Sequence, residues 1–314
     1  MADSKRPDDP LSQSEAVSVQ SAAIFAKLPV FSFENPIENF AFSKKSDFTI
    51  VATTSKVFKY SPEKKVISYA KIESSLAKFL HISDDDSKVF LFQSHRMIIF
   101  STEDLSVLKV ADSVNFFHFG VVLDHIDRVI TDRGIWGLPG CEFESTLWEQ
   151  GRDTVLCGCR GPEPFIFYAG GFNKFFEVDV QKAQVLRRVT FSEKDEEIPI
   201  FSMVFLARSG TVVFGCAKNV RVFDPKSQTF TRKFETGSYR IRYLLALKDE
   251  SSIVCDTFEA IELIALEKGK RKVLANLSQK NGDFSTKVEE ISPGKLAYPV
   301  IDRLEFVEVE KGSS

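Results

Sequence analysis

The chain has little of what would announce a chemistry. It holds four histidines, three methionines and two tryptophans in 314 residues, and no Ser-His-Asp order, nucleophile elbow or paired acid and base stands out among them. No run of about 18 apolar residues occurs, which excludes a membrane-spanning helix. The N-terminal stretch MADSKRPDDPLSQSEAVSVQ has no apolar core of the secretory type, so a soluble protein of the cytoplasm or nucleus is expected. Charge of one sign is also scarce. A formal net charge of -3 and a pI near 5.9 exclude the overall basic field that sequence-independent nucleic-acid binding uses, leaving only a local patch. Five cysteines (Cys141, Cys157, Cys159, Cys216 and Cys255) are an odd number set mostly inside strand-like stretches, which reads as small apolar residues in a reducing compartment, not as a disulfide framework.

What the chain does have is a recurrence. An apolar strand, a polar turn, a second apolar strand, a small turn and a third strand come back about every 41 residues, the period of four-stranded propeller blades. The clearest copy is FSMVFLARSGTVVFGCAKNVRVFDPKSQTFTRKF, residues 201–234. Aligning on its Phe223 places Tyr60, Phe100, Gly137, Val178, Ile264 and Val307 at the same point, so seven blades are expected. The fold class is therefore all-β, a seven-bladed β-propeller forming one domain over residues 22–310. Residues 1–21, rich in Ser, Asp, Pro and Gln, are expected to be a disordered tail. The last copy lacks a fourth strand, and the segment AAIFAKLPVFSF, residues 22–33, is expected to supply it and join the two ends of the ring. Blade three is the weakest copy and is placed by spacing. Pro299 falls in the second strand of blade seven, where a bulge is expected because proline donates nothing to a ladder. Thirty phenylalanines serve the packing of half-buried pleated surfaces.

The run VRVFDPKSQTFTRKF resembles the third and fourth strands of a WD-repeat blade, with Phe223-Asp224 in place of the family's Trp-Asp. KVFKYSPEKKVISY and KFFEVDVQKAQVLRRV are similar but weaker, and the likeness in architecture extends over about residues 23–310. The family's Gly-His pair is missing from every blade. Its turn aspartate is missing as well, the matching positions being Thr54, Ser94, Thr131, Phe172, Ala217, Phe258 and Ile301. Without that polar network, apolar packing is expected to hold the blades together. A kelch-like alternative rests on AGGFN at 169–173 alone, and its period, nearer 50 residues, fits less well.

One column carries possible chemistry. Lys56, Arg96, Arg133, Lys174, Lys218 and Arg303 recur in the turn before the third strand, and blade six breaks the series with Glu259. Such turns open on one face of a propeller, so the six form a candidate ring for a partner protein's acidic or phosphorylated segment, or for RNA phosphates. The plain alternative is six solvated turn residues. His118, Asp124, His125 and Asp127 lie close in sequence, but a strand and a turn do not bring them to a point, so neither a metal nor any other cofactor is assigned. Cys157-Gly-Cys159 lacks redox or metal spacing. WD-repeat propellers mostly act as scaffolds, so the resemblance implies a non-enzymatic interaction platform. An RNA-binding accessory subunit is the first alternative. A metal-dependent hydrolase or lactonase is the second, disfavoured by the apolar first strands expected to line the channel.

Overall fold

Short turns built on Asp, Ser, Gly and Pro cut the chain into strands of four to seven residues that fold back antiparallel on one another. The computed structural model describes residues 33, 35–61, 65–73, 77–112, 119–138, 140, 142–149, 152–191, 198–236, 240–257, 259–277 and 287–309. These form seven antiparallel blades in a ring, six of four strands and a seventh of three. Blade one is Ile37–Phe42, Thr49–Thr53, Lys56–Ser61 and Lys65–Lys71 (β1 to β4), and blade two is Ala77–Ile82, Lys88–Gln93, Arg96–Ser101 and Val107–Asp112 (β5 to β8). Blade three is Gly120–Leu123, Arg128–Thr131, Gly134–Gly137 and Glu142–Ser145 (β9 to β12); blade four is Val155–Arg160, Ile166–Gly171, Lys174–Asp179 and Gln184–Thr190 (β13 to β16). Blade five is Ser202–Leu206, Thr211–Gly215, Asn219–Asp224 and Thr229–Glu235 (β17 to β20); blade six is Ile241–Ala246, Ser252–Thr257, Ala260–Ala265 and Arg271–Asn276 (β21 to β24). Blade seven is Glu289–Ser292, Lys295–Val300 and Arg303–Glu308 (β25 to β27). The first strand of each blade is innermost. β1 borders β5 on one side and β25 and β26 on the other, which closes the circle.

Every second-to-third-strand connection is a two-residue hairpin, and this fixes the alignment of the blades. Six of the seven sequence anchors fall on the fifth residue of the third strand or its continuation. In blade three the hairpin pairs Thr131 with Gly134, so the equivalent residue is Leu138 and the expected Gly137 is one residue early. The same slip moves the turn position from Thr131 to Asp132, so the WD-type turn aspartate does occur once, with its side chain only 4% exposed. Both tryptophans are in this short-stranded blade, and both anchor to Thr131: Trp136 Nε1 donates to its Oγ1 and Trp148 Nε1 to its carbonyl, each at 3.2 Å. At Pro299 the ladder with β27 runs straight through Pro299↔Leu304. The irregularity of blade seven is instead between Glu290 and Ser292. The Gly-Gly pair of residues 170 and 171 has a steric reason: a Cβ on Gly170 would sit 2.8 Å from Ile200 Cγ2, and one on Gly171 1.8 Å from the Thr154 carbonyl oxygen.

Residues 22–32 of the expected closing strand lie outside the described residues, but Phe33 is placed. In four blades the residue that follows the fourth strand donates its N–H to the carbonyl of the residue before the third: Ile72 to Ser55, Phe191 to Asn173, Thr236 to Lys218 and Leu277 to Glu259. Phe33 makes the same bond to Asp302, at 2.7 Å, and packs with Leu304 and Phe306 of β27.

The core is seven apolar clusters, one between each pair of neighbouring blades. Between blades one and two lie Ile50, Val57, Leu80 and Leu91; between two and three, Phe90, Phe92, Val122 and Val129; between three and four, Ile130, Ile135, Phe167 and Phe176. The interface of blades four and five is a phenylalanine nest, with Phe175, Phe191, Phe214 and Phe230 all within 6 Å of one another's ring or of Phe223 at its centre. Ile241, Leu244 and Val213 join five to six, Ile261, Leu296 and Tyr298 six to seven, and Phe33, Phe40 and Ala297 seven to one.

Apolar packing does not act alone. Polar ties cross the same interfaces. Ser43 Oγ bonds the Asp86 carboxylate, and Lys44 Nζ reaches Asp84 at 2.8 Å. Asp124 accepts from the Asp84 N–H at 2.9 Å and faces His81 Nε2 at 3.2 Å. Glu250 accepts from the N–H groups of Ala207 and Arg208, and Glu290 from that of Lys248. On the outer strands, Arg187 donates to the Pro225 carbonyl and Arg232 to the Leu266 carbonyl of the next blade. These bonds run from neighbour to neighbour and not within a blade.

Burial pushes the Asp124 carboxyl up, but the bonds from His81 and the Asp84 N–H outweigh it and hold the group below its ordinary value. A depressed native pKa contributes stability that is complete above the unfolded value of about 4 and is lost as pH falls through the native one. Asp124→Asn is therefore expected to cost about 1–2 kcal/mol at pH 7 and to flatten the acid limb. Urea unfolding from pH 7 to pH 3 checks both; parallel curves for wild type and variant refute the assignment.

Candidate functional site

The six turn cations do not share one structural column. Lys56, Arg96, Lys174 and Arg303 are the first residues of β3, β7, β15 and β27, whereas Arg133 and Lys218 are one position earlier, in the hairpin itself. Their contacts are local. Arg96 holds Glu73 at 2.8 Å and Asp112 at 3.2 Å. Lys174 pairs with the buried Asp153 at 2.9 Å, an aspartate that Arg188 also holds. Arg303 pairs with Glu305 at 2.7 Å and Arg133 lies 3.6 Å from Asp132. The Lys56 ammonium sits over the rings of Phe58 and Tyr69, and Lys218 is exposed. Four of the six thus stand against carboxylates beside their own third strands.

A second set of cations converges where the turn column does not point. The axis of the ring is a cavity of about 790 Å³ whose wall is mostly the first strands, with Phe79, Leu80, Val121, Val122, Met203 and Leu244 among its apolar residues. Its charged lining among the described residues is Lys44, Arg160, Arg240, Arg242 and Lys287, with His81 beside them, and no Asp or Glu of the described residues lines it. Carboxylates stand behind several of these groups. Arg242 is the extra residue of a bulge between Ile241 and Tyr243, and it reaches Asp256 at 3.0 Å and the Thr257 carbonyl at 2.9 Å. Arg160 donates to the Val122 carbonyl at 2.7 Å, with Asp84 3.7 Å away. Arg240, just ahead of β21, is different: its guanidinium lies 4.4 Å from the Phe201 ring centre, and it has no carboxylate partner among the described residues. Stacking on a ring fixes the plane of a guanidinium and leaves its edge donors available to an anion.

Lys287 acts as a strut. It precedes β25, yet its ammonium crosses to the Phe40 and Leu80 carbonyls at 3.3 and 3.5 Å and pairs with Glu289, so one side chain joins blades seven, one and two. Burial alone pushes this ammonium down; the Glu289 carboxylate and the Tyr243 hydroxyl outweigh it and hold the group above its ordinary value.

His118 lies outside the described residues. Asp124 and His125 diverge, the first toward His81 and the second toward the Pro164 carbonyl, 2.7 Å away. The group that does converge is His81, Asp84 and Asp124, with ligand atoms within 4.8 Å of one another. Lys44 and Arg160 already balance the charge of Asp84, and the remaining contacts are the blade ties described above. Burial pushes the Cys157 and Cys159 thiols up, which disfavours the thiolate form. Sequence reasoning missed the channel cations because they come from strand ends and one bulge in blades one, four, six and seven. No shared column marks them.

Lys287→Met leaves Glu289 without its ammonium and frees two backbone carbonyls; a loss of about 3 kcal/mol is expected, with Lys287→Met/Glu289→Gln recovering about half of it. Equal losses in the single and double variants, by urea unfolding, would exclude the strut. No family model matches the chain, and no curated protein matches its sequence.

Proposed function

We propose that this chain is a non-enzymatic interaction platform, a divergent propeller of the WD-repeat type, that holds an anionic segment of a partner protein at the mouth of its central channel. The observation that carries the reading is the lining of the cavity: five cationic side chains, apolar walls and, among the described residues, no carboxylate. An apolar wall lowers the local dielectric and strengthens each charge-assisted bond to an incoming carboxylate or phosphate. Arg240 is the anchor, being stacked and exposed. Of the turn column, Arg96, Lys174 and Arg303 are engaged with Glu73, Asp112, Asp153 and Glu305.

A fluorescein-labelled ten-residue peptide of alternating Glu and Leu is the probe, read by anisotropy at low and moderate salt. Arg240→Glu is expected to weaken binding at least tenfold. Arg96→Glu with Lys174→Glu is expected to cost stability through repulsion of their carboxylates while leaving the affinity of the folded fraction unchanged. The reverse pattern would return the contact to the ring of turns. Loss in neither variant, or no binding by the wild type, would end the reading.

A further inference from the structure

The outer strands divide the rim into two halves of different chemistry. In blades four, five and six each outer strand carries adjacent cations, Arg187-Arg188, Arg232-Lys233 and Arg271-Lys272, the usual protection of an open sheet edge, and large exposed apolar residues occur there singly, as Leu186 and Val273. Blades one and two lack it. On β8, Val107, Leu108 and Val110 are 54%, 53% and 41% exposed, and on β4, Val66, Ile67 and Tyr69 are exposed as well. The arrangement is set by the fold: a bulge opposite Ile99/Phe100 makes Leu108 an extra residue, and the bulge at Lys59/Tyr60 does the same for Ile67. The two strands are neighbours. A single guanidinium, that of Arg96, reaches both Asp112 at the end of β8 and Glu73 just beyond β4, and Lys59 donates to the Thr102 carbonyl in the turn before β8.

Charge narrows the occupant. Arg96 lies between Glu73 and Asp112 and offsets one of their two charges; with the exposed Lys71 and Lys109 the strip carries three cations against two carboxylates, while Glu103 and Asp104 stand in the turn at the far end of β8. We infer that the edge of β8 is a second docking surface, which takes an extended segment of a partner protein whose apolar residues alternate with Asp or Glu. The segment adds a strand to blade two, its backbone pairing with the open side of β8, its apolar side chains covering Val107, Leu108 and Val110, and its carboxylates meeting Lys109 and Lys71. This surface is separate from the channel, and Arg240 takes no part in it.

A phage-displayed random decapeptide library is selected on the full-length protein and depleted on the variant Val107→Ser/Leu108→Ser/Val110→Ser. Peptides with alternating apolar and acidic residues are the expected product. The serine variant should bind them at least tenfold more weakly, Lys109→Glu should weaken them in proportion to their acidic content, and Arg240→Glu should leave them unaffected. Because the replaced residues are exposed, both rim variants should melt within a few degrees of wild type. N-methylation of alternate peptide amides should abolish binding if a strand is added. An absence of enriched peptides, equal binding to wild type and serine variant, or a preference for basic peptides overturns the inference. Light scattering that shows a dimer which the serine variant converts to monomer would also overturn it, assigning the edge to a second copy of this chain.

Discussion

Each blade is apolar on both faces, so neither face is buried until a neighbour stands on each side, and that requirement governs everything else in the molecule. The seven apolar clusters lie between blades, none within one. A blade removed from the ring would expose two faces at once, which is why such repeats are stable only in closed or capped sets. The requirement also makes closure decisive. The cluster between blades seven and one contains Phe33, Phe40 and Ala297, residues from the two ends of the described chain, so the last interface is completed only when the ends have met.

Hydrophobic burial is non-directional and leaves the relative height and rotation of neighbouring blades loosely determined. The polar ties supply direction. Asp84, Asp86, Asp124, Glu250 and Glu290 each reach the adjoining blade through a turn or the start of a first strand, and Arg187 and Arg232 do the same at the rim. Hydrogen bonds of this kind contribute only about 1 kcal/mol each, yet a misplaced blade would strand several at once. The arrangement serves the purpose of the WD-type network by a different route.

How much of this was legible depended on whether the signal recurred. The hairpins recur, so the blade number and six of seven anchors could be read directly. Blade three broke the reading because its third strand has only four residues and carries Gly134 at its start, so spacing alone left the register free by one residue and hid Asp132. Apolar first strands were legible as channel walls. The cations among them were not, because Lys44, Arg160, Arg240, Arg242 and Lys287 occupy unrelated positions in their blades and meet only through the curvature of the ring. The turn column had the opposite fault: it recurred in sequence without one structural position or one kind of partner. The first residue of a third strand lies opposite the last residue of the fourth, and there Arg96 meets Asp112, Lys56 meets Lys71 and Lys174 meets Thr190.

The two faces of the ring consequently have different freedom. On the side of the first-to-second-strand turns, the carboxylates and their donors are occupied in holding blades together, and replacing them costs stability. On the side of the blade-to-blade connections, Arg240 rests on Phe201, and none of the ties between blades among the described residues uses its charge. A partner that engaged the first side would have to compete with the bonds that keep the ring in register. On the second side, at Arg240, and along the open edge of β8, no blade-to-blade tie among the described residues would be displaced. The groups that hold the blades in register and these open surfaces are thereby separated in space.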